Sequence, residues 1–269
     1  TRIARAESIA ATAASFLENL GVSCWRHSSW DDTVSEETLR STDAVISVGG
    51  DGTILRVARF VAPWSIPIIG VNLGRLGFMT EIELEEMESQ FPRFLNGEGW
   101  IEERAMLSVH KDGDSFLADA LNDVVVSREG PAQMIRVEVA VDDHVLRTWW
   151  GDGFIVATAT GSTGYSLALG GPILPPTSSQ LILKPISPHL APITPIVLSE
   201  GSCVSLRVGT RHPAALSVDG QIDYPIGDGD LIHVTSSPFR TRFLRLRPAT
   251  YFYDLIGDVL SGVRAHQEI

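Results

Sequence analysis

Asp51 sits inside the turn Gly49-Gly50-Asp51-Gly52-Thr53. The turn follows a buried-strand pattern, Ala44 to Val48, and precedes a helical pattern, Ile54 to Val61. Strand, glycine turn and helix make the geometry of a phosphate site. Glycines let the backbone come close to a ligand. The helix start offers N–H groups and a partial positive charge to an anion. A carboxylate is a poor neighbour for phosphate unless a metal ion or a proton transfer is involved. The residue types therefore point to phosphoryl transfer, with Asp51 as base or as Mg²⁺ ligand. A tight turn in which Asp51 merely caps the helix fits the same residues, because Gly-Asp-Gly is ordinary turn chemistry. It recurs here at Gly151-Asp152-Gly153 and Gly227-Asp228-Gly229.

Three other segments could carry chemistry. Asn72 to Met79 adds two glycines after the strand that ends at Val71. In a parallel sheet ligands bind at the carboxyl ends of strands, so this loop is expected to face the same crevice as residues 49–53. Phe78 reads as an aromatic wall or as core. Leu121-Asn122-Asp123 offers an amide and a carboxylate beside a strand, or a plain strand start. Gly151 to Pro172 is an apolar strand followed by a loop of Gly, Ser and Thr with one ring, Tyr165. Small donors and a stacking ring suit a nucleoside; a flexible connection would have the same composition.

The positioning elements alternate helix and strand up to about residue 100. Residues 4–20 read as a helix ended near Gly21, 22–25 as a short strand and 36–41 as a short helix. Strand 44–48, helix 54–61, strand 66–71 and a helix over 84–95 interrupted by Pro92 follow. Such alternation predicts a mostly parallel sheet with helices on its faces. Beyond residue 100, Val-, Ile-, Leu- and Thr-rich runs alternate with turn clusters: 106–110, 120–127, 134–141, 144–149, 153–158, 180–184, 195–199, 203–208, 214–219, 231–235 and 242–246. This is the pattern of an all-β sandwich. The tail, 251–265, reads as a helix with Leu255, Ile256, Val259 and Leu260 on one face. The expected organisation is an α/β domain, 1–100 with 250–269, and an all-β sandwich domain, 101–249. A first strand ahead of the opening helix is expected to be missing from this sequence.

The totals narrow the function. The 269 residues carry a net charge of −12, with 44% hydrophobic and 20% charged residues. That composition is ordinary for a soluble globular protein. The acidic balance argues against a nucleic-acid partner, and no apolar run reaches a membrane span. Cys24 and Cys203 form no paired motif, which fits a reducing, cytoplasmic setting. The seven histidines show no metal-binding spacing, and the metal ligands are not readable from the residues.

Gly49–Thr53, Asn72–Phe78, Asn122-Asp123, Asp152–Pro172, Pro185-Ile186-Ser187-Pro188-His189 and Val218-Asp219-Gly220-Gln221 occur together and in order. In this the chain resembles the NAD kinase family. The glycine-Asp-glycine turn alone is unspecific; the segment 152–172 is specific. The resemblance implies transfer of the ATP γ-phosphate to the 2′-hydroxyl of the adenosine ribose of NAD, giving NADP, with Mg²⁺ or another divalent cation accompanying ATP. It implies Asp51 as catalytic base. Gly49, Gly50, Gly52, Thr53 and Arg56, with Asn72 and Phe78, would hold phosphates and the ribose region. Asn122 and Asp123 would hold ribose hydroxyls, and Asp152 would face the nicotinamide end. Thr163, Gly164, Tyr165, Ser166, Leu167 and Ala168 would line an adenine site, with Tyr165 against the base. Asp219 and Gln221 would be further substrate contacts, Gln221 across a subunit boundary. The resemblance also implies a homodimer or homotetramer with the β domain in the contacts.

The chain departs from the family's common residues at Ala159 (Pro), Gly164 (Ala), Ala168 (Ser) and Trp150 (a basic residue). None of these removes the proposed base. Two other readings compete. A lipid kinase of the diacylglycerol or sphingosine type shares the turn, but needs an apolar cleft where this chain has the Ser/Thr-rich loop 161–166. A non-catalytic dinucleotide-binding protein has little use for a carboxylate at a phosphate site.

Overall fold

The computed structural model describes residues 2–31, 34–74, 77–113, 115–130, 133–190 and 194–261, with residues 2 and 3 described by their backbone alone. They divide into two compact units, 1–103 with 241–269 and 104–240. The chain passes between the units within two long strands.

The first unit is an α/β assembly. Its helices are α1 (Arg2–Asn19), α2 (Glu36–Arg40), α3 (Asp51–Val61) and α4 (Met87–Leu95). Its strands are β1 (Val45–Gly49), β2 (Ile68–Asn72) and β3 (Ile82–Glu83). β1 and β3 both pair in parallel with β2. All five β2 residues are buried, as expected of a strand covered on both faces. α1 buries Ala13 and Leu17, one turn apart, in a cluster with Val71 of β2 and Phe91 of α4. α3 buries Ile54, Leu55, Ala58 and Val61. Residues 22–25, expected as a strand, form none. Val22 and Cys24 still pack inward, but no strand among the described residues pairs with them. Helix α3 begins at Asp51 rather than Ile54, which places the carboxylate in the first helical turn.

The second unit is a two-sheet β sandwich. β4 (Trp100–Lys111) enters it. β5 (Ser115–Ala120), β6 (Asp123–Arg128), β7 (Ile135–Val141), β8 (His144–Gly151), β9 (Gly153–Ala157), β10 (Leu181–Ile186) and β11 (Ile196–Leu198) follow. Next come β12 (Val204–Gly209), β13 (Ala214–Val218), β14 (Ile222–Ile226) and β15 (Leu231–Arg245). A six-stranded antiparallel sheet runs β11-β10-β9-β6-β13-β14. In the other sheet β15, β12, β7 and β8 are successive antiparallel neighbours. Along β7 and β12 alternate residues, Ile135, Val137, Val139, Val204, Leu206 and Val208, enter one core cluster. The residues between them are half-buried or exposed. This is the period-two pattern of a sheet with one wet face.

The expected runs 231–235 and 242–246 prove to be one strand, β15. Pro238 lies within it and is exposed, a position that tolerates the missing N–H. The run expected over 120–127 is two strands, β5 and β6, broken at Leu121-Asn122. The second half of β15 belongs to the first unit, where Phe243 pairs in parallel with Ile68 of β2. The tail forms α6 (Tyr251–Leu260); the expected continuation over 262–265 lies outside the described residues. Leu255 of α6 is buried, and the Phe252 ring lies 6.1 Å from Phe78. No helix among the described residues is long and apolar enough to cross a membrane.

The tail therefore packs on the first unit. Leu255→Ala is expected to lower stability by about 2 kcal/mol, the low end for a buried leucine, and deletion of 251–269 by more. Melting temperatures check both, and an unchanged transition on deletion would contradict them.

Candidate active site

β1 ends at Gly49 and α3 begins at Asp51, with Gly50 extended between them as the N-cap. The turn closes tightly: Thr53 N and Ile54 N both return to the Gly50 carbonyl, at 2.9 and 3.3 Å. A Cβ at Gly49 would lie 2.3 Å from Thr53 Oγ1, so only glycine fits there.

The Asp51 carboxylate points at the loop after β2. Phe78 N donates to its Oδ2 at 3.0 Å, and Met79 N to its Oδ1 at 3.2 Å. Gly77 lies against the same carboxylate; a Cβ there would be 2.2 Å from Oδ1. Gly77 N in turn donates to Thr80 Oγ1 at 2.7 Å. Asn72, opposite Gly49 at the end of β2, is buried. Its Oδ1 accepts from Gly74 N at 3.3 Å. Its Nδ2 has no partner among the described residues, and neither has Ser47 Oγ two residues before Gly49.

Gly49, Gly50, Asp51, Gly52, Thr53, Asn72 and Phe78 thus gather at the carboxyl ends of two parallel strands. Arg56 behaves differently. Its guanidinium stacks 3.6 Å from the ring centre of the exposed Trp30. Arg75 and Leu76, inside the Asn72–Phe78 segment, lie outside the described residues.

The second unit carries its own cluster. Asn122 and Asp123 stand where β6 begins. The Asp219 carboxylate, in the turn after β13, accepts from Leu121 N at 3.1 Å, Asn122 N at 2.7 Å and Asp123 N at 3.2 Å. Asp219 itself has a left-handed backbone, φ +54°, followed by Gly220 at +61°. Asp and Gly accept that region best.

Thr158, just past β9, closes the turn from the other side. Its Oγ1 donates to Leu121 O at 2.6 Å, and its N–H to Asn122 O at 2.9 Å. A Cβ at Gly161 would lie 2.1 Å from Asn122 O, so the loop touches the Asn122 backbone directly. The loop is compact: a 3-10 turn, Gly161–Thr163, runs into the short helix α5, Tyr165–Ala168. Ser162 Oγ bridges Ala159 O and Leu174 N. Tyr165 is exposed, as are Gly164 and Ala168.

Three polar atoms here have no hydrogen-bond partner among the described residues: Asn122 Oδ1, Thr160 Oγ1 and Ser166 Oγ. Buried polar groups are normally paired, so these three atoms stand out as acceptors and donors left over by the fold. Thr160 is not among the residues expected from sequence. Only its burial, with an unpartnered hydroxyl, distinguishes it from other loop threonines.

Asp152 is not part of that cluster. It precedes β9 while Thr158 follows it, a separation of about 20 Å along an extended strand. Arg128 Nε donates to Asp152 Oδ1 at 2.6 Å. That bond holds the Asp152 carboxyl below its ordinary value, against partial burial. Arg128 carries no motif; pairing between β6 and β9 alone brings it to Asp152. Gln221 is half-buried in the turn after Asp219, its N–H on Val218 O at 3.0 Å.

Two family profiles match this chain, the ATP-NAD kinase N-terminal domain over residues 4–99 and the ATP-NAD kinase C-terminal domain over 121–246. An NAD kinase of Dehalococcoides mccartyi is 42% identical over 250 residues, covering 91% of this chain and 88% of the relative. An NAD kinase of Chloroflexus aurantiacus is 41% identical over 243 residues, covering 89% and 88%. Among solved structures, an NAD kinase from Archaeoglobus fulgidus in complex with ATP superposes with a TM-score of 0.78. It is 32% identical and covers 94% of each chain. Yeast NADH kinase complexed with NADH has a TM-score of 0.76 and 27% identity, covering 82% of this chain and 66% of that one. The chain belongs to the ATP-NAD kinase family.

Asp123 is buried, and its carboxyl is pushed up to about 7, by desolvation first and by the Asp219 charge second. A carboxyl raised on folding stays protonated in the native state while the unfolded chain ionises, from about pH 4 upward. Stability is therefore lost as pH rises from there to the folded value, and levels off above it. Asp123→Asn removes this loss. Its stability relative to the parent should rise between pH 4.5 and 8 by a few kcal/mol, at about 1.4 kcal/mol for each pH unit separating the unfolded and folded values. Melting curves at both pH values check this; a difference independent of pH would contradict it.

Proposed function

We propose that this chain is an NAD kinase: it transfers the γ-phosphate of ATP to the 2′-hydroxyl of the adenosine ribose of NAD. The observation that carries this reading is the Asp51 carboxylate, fixed by Phe78 N and Met79 N in the first turn of α3. Each oxygen accepts one N–H and keeps a lone pair for another proton. In the reaction the 2′-hydroxyl oxygen attacks the γ-phosphorus, Asp51 takes the hydroxyl proton, and ADP leaves. The Gly49–Thr53 turn lets the backbone approach the phosphates. Arg56 contributes charge from its stack on Trp30.

The divalent cation enters as part of the substrate, Mg-ATP. Mg²⁺ keeps several waters and binds through phosphate oxygens, so an ion carried on ATP needs no dedicated protein cage. Bound there, the ion neutralises charge on the transferring phosphate.

Asn122 Oδ1, which lacks a partner, accepts from a ribose hydroxyl beside Asp123. Thr163 to Ala168 form the adenine site, with the exposed Tyr165 ring against the base. Ser166 and Thr160 supply hydroxyls to it. Asp219 acts through the backbone: its carboxylate holds residues 121–123 in place. Asp152, held by Arg128, meets the nicotinamide end. Gln221 is a further contact, made across a subunit boundary. The enzyme works in the cytoplasm as a homodimer or homotetramer. The exposed Val145, Leu146 and Trp150 of β8 support contacts through the β unit.

Asp51→Asn keeps the shape and removes the base. It is expected to bind NAD normally and lose about 10²–10⁴-fold in kcat, the range for general-base catalysis. ADP release with Mg-ATP and NAD reads the loss, and titration with NAD reads the binding. A variant keeping more than about a third of parental kcat would sink the assignment, given that range. Gly77→Ala should lower kcat too, because its Cβ would have to displace the Asp51 carboxylate. Full activity in that variant would mean that the carboxylate's position does not matter.

A further inference from the structure

Arg245, the last residue of β15, is buried. Its Nη1 lies 3.0 Å from Met79 O, 3.3 Å from Thr80 O and 3.2 Å from Glu81 Oε2. Its Nε and Nη2 both reach Glu102 Oε1, at 3.3 and 3.0 Å. Its guanidinium carbon stands 4.6 Å from the centre of the Phe243 ring. The other Glu81 oxygen takes Leu246 N and Arg247 N, each at 2.7 Å.

One cation and two carboxylates are thus withdrawn from water together. Burying ions costs several kcal/mol each, and apolar residues of similar volume often serve stability as well or better. Stability alone is therefore a poor reason for this network. What an arginine offers here is a rigid planar fork that fixes its acceptors in direction.

The acceptors it fixes are the carbonyls of the loop that holds Asp51. Met79 is pinned at both ends: its N–H on Asp51 Oδ1 and its carbonyl on Arg245. Glu81 N anchors the following residue to Gly70 O of β2 at 2.8 Å. Residues 78–80 form a short rigid link with the Asp51 carboxylate on one side and the guanidinium on the other. We propose that Arg245 is a positioning residue for phosphoryl transfer, setting the place of Asp51 through the Met79 and Thr80 backbone. The assignment rests on Asp51 being the base. The side chain touches no substrate; it fixes the two amides that orient the carboxylate.

The test compares kcat and KM in variants of the full-length protein. Arg245→Lys keeps the charge but not the fork. It is expected to lower kcat about 10–100-fold, the scale of a 1 Å misplacement at the chemistry, with KM for NAD and for ATP unchanged. Arg245→Gln, which removes the buried charge, should give the same split and covers the case in which the lysine variant does not fold. Leu17→Ala, in α1, is the control for lost stability in the same unit; its melting temperature should fall while kcat stays at the parental value. In an Asp51→Asn background, Arg245→Lys should cost nothing further, because residues acting through one another are not additive.

Parental kcat in both Arg245 variants would overturn the proposal. So would a kcat loss as large in Leu17→Ala, or an undiminished loss in the Asp51→Asn background. Full activity in Asp51→Asn alone would remove the base and the positioning role together. An inactive Asp51→Asn beside a fully active Arg245→Lys would overturn only the positioning role.

Discussion

A carboxylate that captures two backbone amides organises the α/β unit. Asp51 lies at the first position of α3, yet its oxygens bond to Phe78 and Met79, more than twenty residues on. This one interaction ties the turn after β1 to the loop after β2. It dictates the glycines around it. Gly77 leaves room for the carboxylate itself, and Gly49 leaves room for Thr53. A helix that began at Ile54, as the apolar periodicity alone reads, would leave the carboxylate outside the helix and free to turn away.

The β unit repeats the device with other residues. Asp219, in a left-handed turn, gathers three successive amides, 121 to 123. The run that reads as one strand is therefore broken in two at Leu121-Asn122, and Asn122 stands free of the ladder. Thr158 and Gly161 then lock the Ser/Thr-rich loop 161–166 onto the same backbone. In both units an aspartate, half-buried at Asp51 and buried at Asp219, shapes main chain, and the side chains beside it take their places from that shape. The cost is visible at Asp123, whose carboxyl is raised by burial and by the neighbouring Asp219.

The sandwich supplies the rigidity that such a turn needs. β6, β9 and β13 are central strands of one sheet. Their alternate residues, Val124, Val126, Phe154, Val156, Leu216 and Val218, are buried in the core cluster. The turns at Asn122, Thr158 and Asp219 leave from the ends of these strands, so little of their position depends on loop packing. Unpartnered polar atoms persist at Asn122, Thr160 and Ser166 because a rigid frame does not let them relax towards one another.

Much of this was legible in the residues. Helix-and-strand alternation up to about residue 100, followed by short strands with turn clusters, defines an α/β unit and a sandwich, since periodicity of 3.6 or 2 is a local property. Glycines at strand ends, an acid among them and a Ser/Thr-rich loop with one tyrosine locate the two clusters, because backbone approach and small donors are also local requirements. What tertiary structure decided is everything that depends on a distant partner. Residues 22–25 alternate like a strand, yet no strand among the described residues pairs with them. Asp219 reads as a ligand contact, and the fold also gives its carboxylate the backbone amides of 121–123. Arg56 is drawn onto Trp30, Asp152 onto Arg128, and Arg245 onto the carbonyls beside Asp51. Hydrogen bonds between residues 20 to 170 positions apart leave no periodic trace in a sequence. Only the folded sheets bring those groups within 3 Å or so, the range in which such bonds form.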